Sequence, residues 1–403
     1  MKTLIKWSLL AVVVAAVLII AGDPQYWRRS AILRVYEPAV PLWFYQPRER
    51  IAGGNQPPAP RETPAAESLD LTALEAAASY AQAHHSRALL VSRHGYLVFE
   101  KYWQGSNIDT LMDSGPLARI VVALVTGAAI SQRRIGWPDE PLSYLIPQWH
   151  YDPRGVITVR DLLQLSSGLA PGKPGEELGT DIIASYLHRP QADAPGRRWC
   201  DQSVDPELLA HVIGRTTQQR FAQFVSQNLW ERIGAADAWL WLDRPDGAAH
   251  IDRGFLARQG DWMRVAELLL SNGRYQGSEV ISPRWMTQLM QPARADTNYG
   301  SYFRFGARAE RGMTPYAASD VLLIKGGGNR LWVIPSLQIA ILRTADPPAS
   351  AAASGATSAS SGSPGAGDWD DGRIPNLIVR GARDFVPPAA RPGADLSTIV
   401  PNH

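Results

Sequence analysis

Apolar residues recur at helical spacing over residues 69–85, with Ser68 and Asp70 placed as caps, and this predicts a helix. Residues 88–93 and 96–103 are two β-rich runs around His94-Gly95, the pattern of a hairpin. Residues 117–132 carry Ile120, Val121, Val122, Leu124, Val125, Ala128 and Ile130. A helix there is apolar on most faces, so it belongs at the centre of the fold. Shorter helices are expected over 158–165, stopped by Ser167-Gly168, and over 205–214, 219–234 and 261–271. Strand runs follow at 321–324, 330–334 and 338–343, with Gly326-Gly327-Gly328 and Pro335-Ser336 as turns, and a last helix over 374–385. This order predicts an α+β fold, with an antiparallel sheet built from both chain ends, flanked by helices, and a mostly helical lobe.

The ends of the chain read differently. Lys2 and Lys6 precede an apolar run over 7–21, which Leu4 and Ile5 extend toward the roughly 20 residues a bilayer needs. Ile19-Ile20-Ala21-Gly22 lacks the small-residue spacing of a cleavage site. Residues 1–22 are therefore expected to be an N-terminal membrane anchor, with a cleaved signal segment as the alternative. Arg28, Arg29 and Arg34 follow the run, so the positive-residue count does not set its orientation. Residues 23–68 form an aromatic, Pro-rich arm, whose first part is expected against the body and whose second part (53–64) is expected to be a linker. The body is expected over 69–390. Residues 349–367 contain only Ala, Ser, Gly, Thr and Pro and read as a disordered surface loop, and 391–403 as a tail.

Composition narrows the function. Of 403 residues, 45% are hydrophobic and 19% charged, which excludes wholesale disorder. A net charge of +2 without a Lys/Arg stripe argues against nucleic acid as a partner. A single cysteine, Cys200, excludes an internal disulfide and a cysteine-based metal site. The histidines have no metal-ligand spacing, and Gly326-Gly327-Gly328 lacks the G-K-[ST] of a phosphate loop. No cofactor or metal is expected.

Six segments together resemble one family, the serine hydrolases related to class C β-lactamases and penicillin-binding proteins, in its 6-aminohexanoate-dimer hydrolase and esterase branch. They are LLVSRHGYLVFEKYW, ALVTGAAISQRRIGWPDEPLSYLIPQW, ITVRDLLQLSSGL, APGRRWCDQSVDPELLAHVIGRTT, RGFLARQGDWMRVAELLLSNGRYQG and KGGGNRLWVIPSLQIAILRT. They span residues 85–385 in order. The resemblance implies a site between sheet and helical lobe. There a serine opens the buried helix, a lysine one turn later (S-x-x-K) shares its face, and a tyrosine in a Y-x-N loop relays the proton. A K-T-G or H-x-G strand forms the far wall. The resemblance also implies an exported body facing the periplasm or extracytoplasmic side.

This chain departs at every one of those positions. Aligning Gly127-Ala128-Ala129-Ile130 puts Pro116 at the serine and Arg119 at the lysine. Arginine stays protonated and is a poor general base. Asp201-Gln202-Ser203 stands at Y-x-N, so a carboxylate replaces the tyrosine and Ser203 the asparagine. The wall reads Lys325-Gly326-Gly327-Gly328-Asn329, with Gly327 where some relatives carry histidine and Lys325 pointing elsewhere unless the register shifts. Ser114 is the hydroxyl near the helix start, either a displaced nucleophile or a helix cap. Arg119 and Asp201 are expected to form a buried ion pair if they fill the lysine and tyrosine positions, with two unrelated surface charges as the alternative. Ser166-Ser167-Gly168 reads as a structural turn, His84-His85 as helix-end residues bonded to terminal carbonyls, and Asp261 as a helix cap. Trp149 and Trp199 belong to the cleft or the core. The expected protein is a catalytically degenerate, membrane-anchored homologue with a small amide, ester or peptide-like ligand possible in its cleft. The alternatives are an amide or ester hydrolase using Ser114, and an interaction module whose aromatic arm meets the membrane or a partner.

Overall fold

A computed structural model describes residues 22–37, 40–173, 175–306, 313–346 and 369–386. Helix α1 (Pro24–Tyr36) and strand β1 (Arg48–Ile51) precede α2 (Leu71–Ala83), β2 (Ser86–Arg93), β3 (Tyr96–Tyr102) and β4 (Leu111–Asp113). The helical middle holds α3 (Arg119–Ser131), α4 (Leu142–Leu145), α5 (Val159–Leu163), α6 (Ile182–Leu187), α7 (Val204–Thr217) and α8 (Phe221–Val225). Then come β5 (Ala238–Trp241), β6 (Phe255–Arg258), α9 (Gln259–Leu270), the hairpin β7 (Arg274–Tyr275) and β8 (Ser278–Glu279), and α10 (Pro283–Leu289). Strands β9 (Arg304–Phe305), β10 (Leu322–Gly326), β11 (Asn329–Ile334) and β12 (Ile339–Ala345) lead to α11 (Arg373–Arg380).

The main sheet is antiparallel, in the order β3-β2-β12-β11-β10-β9, so strands from both chain ends meet in it. The alternation of side chains along each strand fixes its two faces. Leu89, Val91, Leu323, Trp332 and Ile341 face α2 and α11, while Leu90, Ile324, Leu331 and Leu342 join the larger core with α3 and α9. His94 and Gly95, at φ +48 and +83, make the β2–β3 turn, as the hairpin pattern predicts.

A second sheet, β1-β5-β6-β4, was not expected. Its strands are three or four residues long, too short for an alternation to show. It moves the start of the body back from residue 69 to the arm. Residues 53–64 are likewise no free linker: Arg264 donates to the Gln56 and Pro57 carbonyls, and Leu97 N–H to the Pro60 carbonyl. The first part of the arm does lie on the body, where Leu33, Phe44 and Tyr45 pack with Leu178, Trp241 and Leu256.

Smaller differences have local causes. The 219–234 helix is α8 followed by a wider π turn, Ser226–Trp230. Helix α9 starts before Asp261, which stands in its first turn rather than at its N-cap, and the buried carboxylate accepts from the Ala236 N–H at 2.9 Å. His84 and His85 do meet the helix-end carbonyls, through their backbone N–H groups to Tyr80, Ala81 and Gln82, while the His84 ring packs on Tyr80 at 4.4 Å. Trp149 is core, and Trp199 stacks on Tyr299 at 4.0 Å. Among the described residues no helix is long and apolar enough to cross a membrane. The apolar run at 7–21, the loop at 349–367 and the tail at 391–403 lie outside the described residues.

Candidate functional site

Strand β4 delivers the chain to the start of the buried helix. It pairs with β6, and Asp113 at its end stands opposite Leu256. The Asp113 carboxylate then organises the turn. It accepts from the N–H of Gly115 at 3.0 Å and of Gly254 at 2.8 Å, and from the Tyr45 hydroxyl at 2.7 Å. Gly115 sits at φ +55, where a side chain would be strained. Residues 115–118 make a tight 3₁₀ turn with Pro116, Leu117 and Ala118 buried, and α3 continues from Arg119.

Arg119 therefore projects from the first turn of α3, and two carboxylates from elsewhere in the chain close on it. Asp252, in the loop before β6, accepts from Nε at 2.6 Å and from Nη2, a two-point fork. Asp201 accepts from Nη1. The expected Arg119–Asp201 pair is present, but it is the outer half of a three-residue clamp. Side-chain exposure is 5% for Arg119, 1% for Asp252 and 31% for Asp201. Burial opposes charge on Arg119, but Asp252 and Asp201 outweigh it and hold the guanidinium well above its ordinary value. Burial pushes the Asp252 carboxyl up, and Arg119 pulls it back.

Ser114 is fully buried. Its Oγ accepts from the Trp262 indole N–H at 3.0 Å, and its own N–H donates to the Phe255 carbonyl at 2.9 Å. It precedes the 3₁₀ turn without capping it through its side chain. The hydroxyl points into the core, at the indole, which corrects the reading of Ser114 as a side-chain helix cap. Ser114→Ala leaves that indole N–H buried without an acceptor, so the expected cost is about 1–3 kcal/mol, read from the urea midpoint.

The far wall is close to this turn. A Cβ on Gly326 would lie 2.6 Å from Leu117 Cγ and 2.7 Å from the Ser114 carbonyl oxygen. Lys325, one residue earlier, points to the opposite face of the sheet. There its Nζ lies 3.0 Å from Asp371, which also pairs with Arg330. Gly327, at φ +59, opens the two-residue turn between β10 and β11. Asn329 donates to the Asp113 and Ser114 carbonyls at 3.2 and 3.3 Å and accepts from Ala345 N–H, tying the sheet to the turn. Ser203 stands at the α7 N-cap without a side-chain capping bond.

Beside the clamp lies a second buried network. The Ser167 hydroxyl and Gln202 amide donate to Asp205 Oδ1 at 2.6 and 3.1 Å. Burial pushes the Asp205 carboxyl up to about 7 against those bonds. The Ser166-Ser167-Gly168 turn is thus structural, as expected. Tyr302 is also buried here, within the field of Asp205, Arg119 and Asp252. Asp252, Trp262 and Tyr302 escaped the sequence reading, since no spacing links them to the S-x-x-K positions. Among the described residues no group of His, Cys, Asp or Glu is placed to hold a metal ion.

An antiparallel sheet covered by α2 and α11 on one face, with a buried helix opening beside its β10–β11 hairpin, is the architecture of the serine β-lactamases and penicillin-binding proteins. The chain belongs to the Beta-lactamase family, whose model matches residues 71–345. It is 24% identical over 283 residues to the 6-aminohexanoate-dimer hydrolase of Paenarthrobacter ureafaciens, covering 64% of this chain and 71% of that one. An inferred 6-aminohexanoate-dimer hydrolase from Bacillus anthracis superimposes with a TM-score of 0.64 at 16% identity, over 77% of this chain and 89% of that one. A family VIII carboxylesterase does so with 0.60 at 14%, over 80% and 99%. These likenesses establish the fold.

Proposed function

We propose that this protein is a catalytically silent, exported and membrane-anchored member of the family. In it Pro116 stands at the position that the resemblance assigns to the nucleophile and the Arg119 clamp at those of base and relay, and the cleft is left to bind a small amide, ester or peptide-like ligand. The observation that carries the reading is the clamp together with the turn before it. Acyl transfer needs a hydroxyl open to substrate and a base able to take its proton. At this turn Pro116 has no hydroxyl, Ser114 is buried under Trp262, and Arg119 is held cationic by two carboxylates. Its guanidinium cannot act as the base. The apolar run at 7–21 behind Lys2 and Lys6 supports the anchor and the export.

The test treats the full chain, in detergent, with a fluorophosphonate probe and a panel of p-nitrophenyl esters, nitrocefin and short amides. Neither labelling nor turnover above buffer is expected. Labelling and turnover that disappear in Ser114→Ala would overturn the proposal and make the protein a hydrolase with a displaced nucleophile.

A further inference from the structure

Among the described residues, helix α1 is fixed to the body through the side that carries Arg29 and Leu33. Arg29 and Leu33 are its buried residues. The Arg29 guanidinium donates to the carbonyls of Leu178, Gly179, Leu242 and Asp243, at 2.9–3.3 Å, and lies over the Trp241 ring. Such a bolt leaves the helix no freedom to roll, so its outward face is a fixed surface.

That face is made of Trp27, Arg28, Ala31, Arg34 and Val35, all exposed and spaced i, i+1, i+4, i+7, i+8. Val35 is 74% exposed. Just beyond it Tyr36 and Trp43, 44% and 53% exposed, meet edge to face at 5.5 Å. No acid lies on the face. The two acids that flank the helix are both turned to the body: Asp23 accepts from the N–H of Tyr26 and of Thr180, and Glu37 from Arg253.

Two arginines, three large aromatic rings and an aliphatic, without a carboxylate, are the makings of a surface that lies in a bilayer interface. Tryptophan and tyrosine favour the headgroup level, and arginine is drawn to anionic lipid. The run at 7–21 ends within three residues of the first turn of α1, which brings the face within reach of the bilayer edge. We propose that the outward face of α1, with Tyr36 and Trp43, docks on the headgroup layer of an anionic membrane and holds the body against it. This rests on the anchored reading above.

The experiment uses the full chain carrying Cys200→Ser and Ala31→Cys, labelled at residue 31 with an environment-sensitive fluorophore. The chain is reconstituted into phosphatidylglycerol-containing vesicles doped with a headgroup-level nitroxide lipid. Quenching of about two-fold is expected, falling toward none when Arg28→Glu and Arg34→Glu are added, both exposed positions. A carbonate wash separates the two readings. A chain that stays with the vesicles while its label is unquenched keeps the anchor and overturns the docking. Release by carbonate overturns the anchored reading on which the docking rests. Cross-linking between residue-31 cysteines in a parallel unlabelled sample, with no quenching in the labelled one, shows a second copy on this face and also overturns the proposal.

Discussion

Arg119→Met is expected to lower the unfolding free energy by about 3–5 kcal/mol, the cost of stranding a buried charge. The loss is carried by Asp252 rather than by the arginine. Asp252 is 1% exposed and spends both carboxylate oxygens on Arg119. Without the guanidinium it must either stay ionised in the interior or take up a proton there. Asp201 is 31% exposed and can turn to water. Asp201→Asn should therefore cost about 1 kcal/mol or less, the value of a partly exposed pair. The double variant Arg119→Met/Asp252→Leu should recover most of the loss, because replacing a buried pair by apolar groups is often nearly neutral. Urea midpoints followed by tryptophan fluorescence read all three. The clamp has no such role if Arg119→Met costs no more than Asp201→Asn, or if the double variant is as unstable as the single one.

What the sequence reveals of this site depends on how local each contact is. The hairpin and the buried helix are legible because a single periodicity runs through each, and burial follows periodicity. Arg119 and Asp201 are legible through the family resemblance, which sets them at the lysine and tyrosine positions. Lys325 is legible through the two-residue alternation, which turns it to the face of Leu323 and not that of Ile324. Asp252 is different. It lies 133 positions from Arg119, in a loop without pattern, and reaches the clamp because Asp113 pins Gly254 to the turn. That pinning belongs to the sheet β1-β5-β6-β4, whose strands carry too few residues to announce themselves. The same sheet explains why the arm belongs to the body: β1 pairs with β5 from Arg48 opposite Trp241 to Ile51 opposite Ala238. Local pattern thus identifies the helix and strands that border the site, and long-range pairing supplies the partners that close on Arg119.

Asp205 gives the second large effect, and its sign is the reverse of the usual carboxylate. Most carboxylates in folded proteins are paired and titrate low, so acid removes stability. Here burial dominates, and the Asp205 carboxyl is pushed up to about 7 despite the Ser167 and Gln202 donors. In the unfolded chain it titrates near 4. Between those pH values the folded state holds a proton that the unfolded state has lost. Stability from this group is therefore greatest in acid, falls as pH rises from about 4 to about 7, and is flat above that. From pH 5 to 8 the loss is about 3 kcal/mol, at somewhat over 1 kcal/mol per pH unit. Asp205→Asn keeps an acceptor for the Ser167 hydroxyl and cannot ionise. Its stability should change with pH by that much less than the parent's, leaving the variant the more stable protein at pH 8 relative to pH 5. Chemical denaturation of both proteins at the two pH values decides it. Parallel losses in parent and variant would mean that Asp205 stays ionised in the fold, held by its hydrogen bonds, and that burial does not govern this carboxylate.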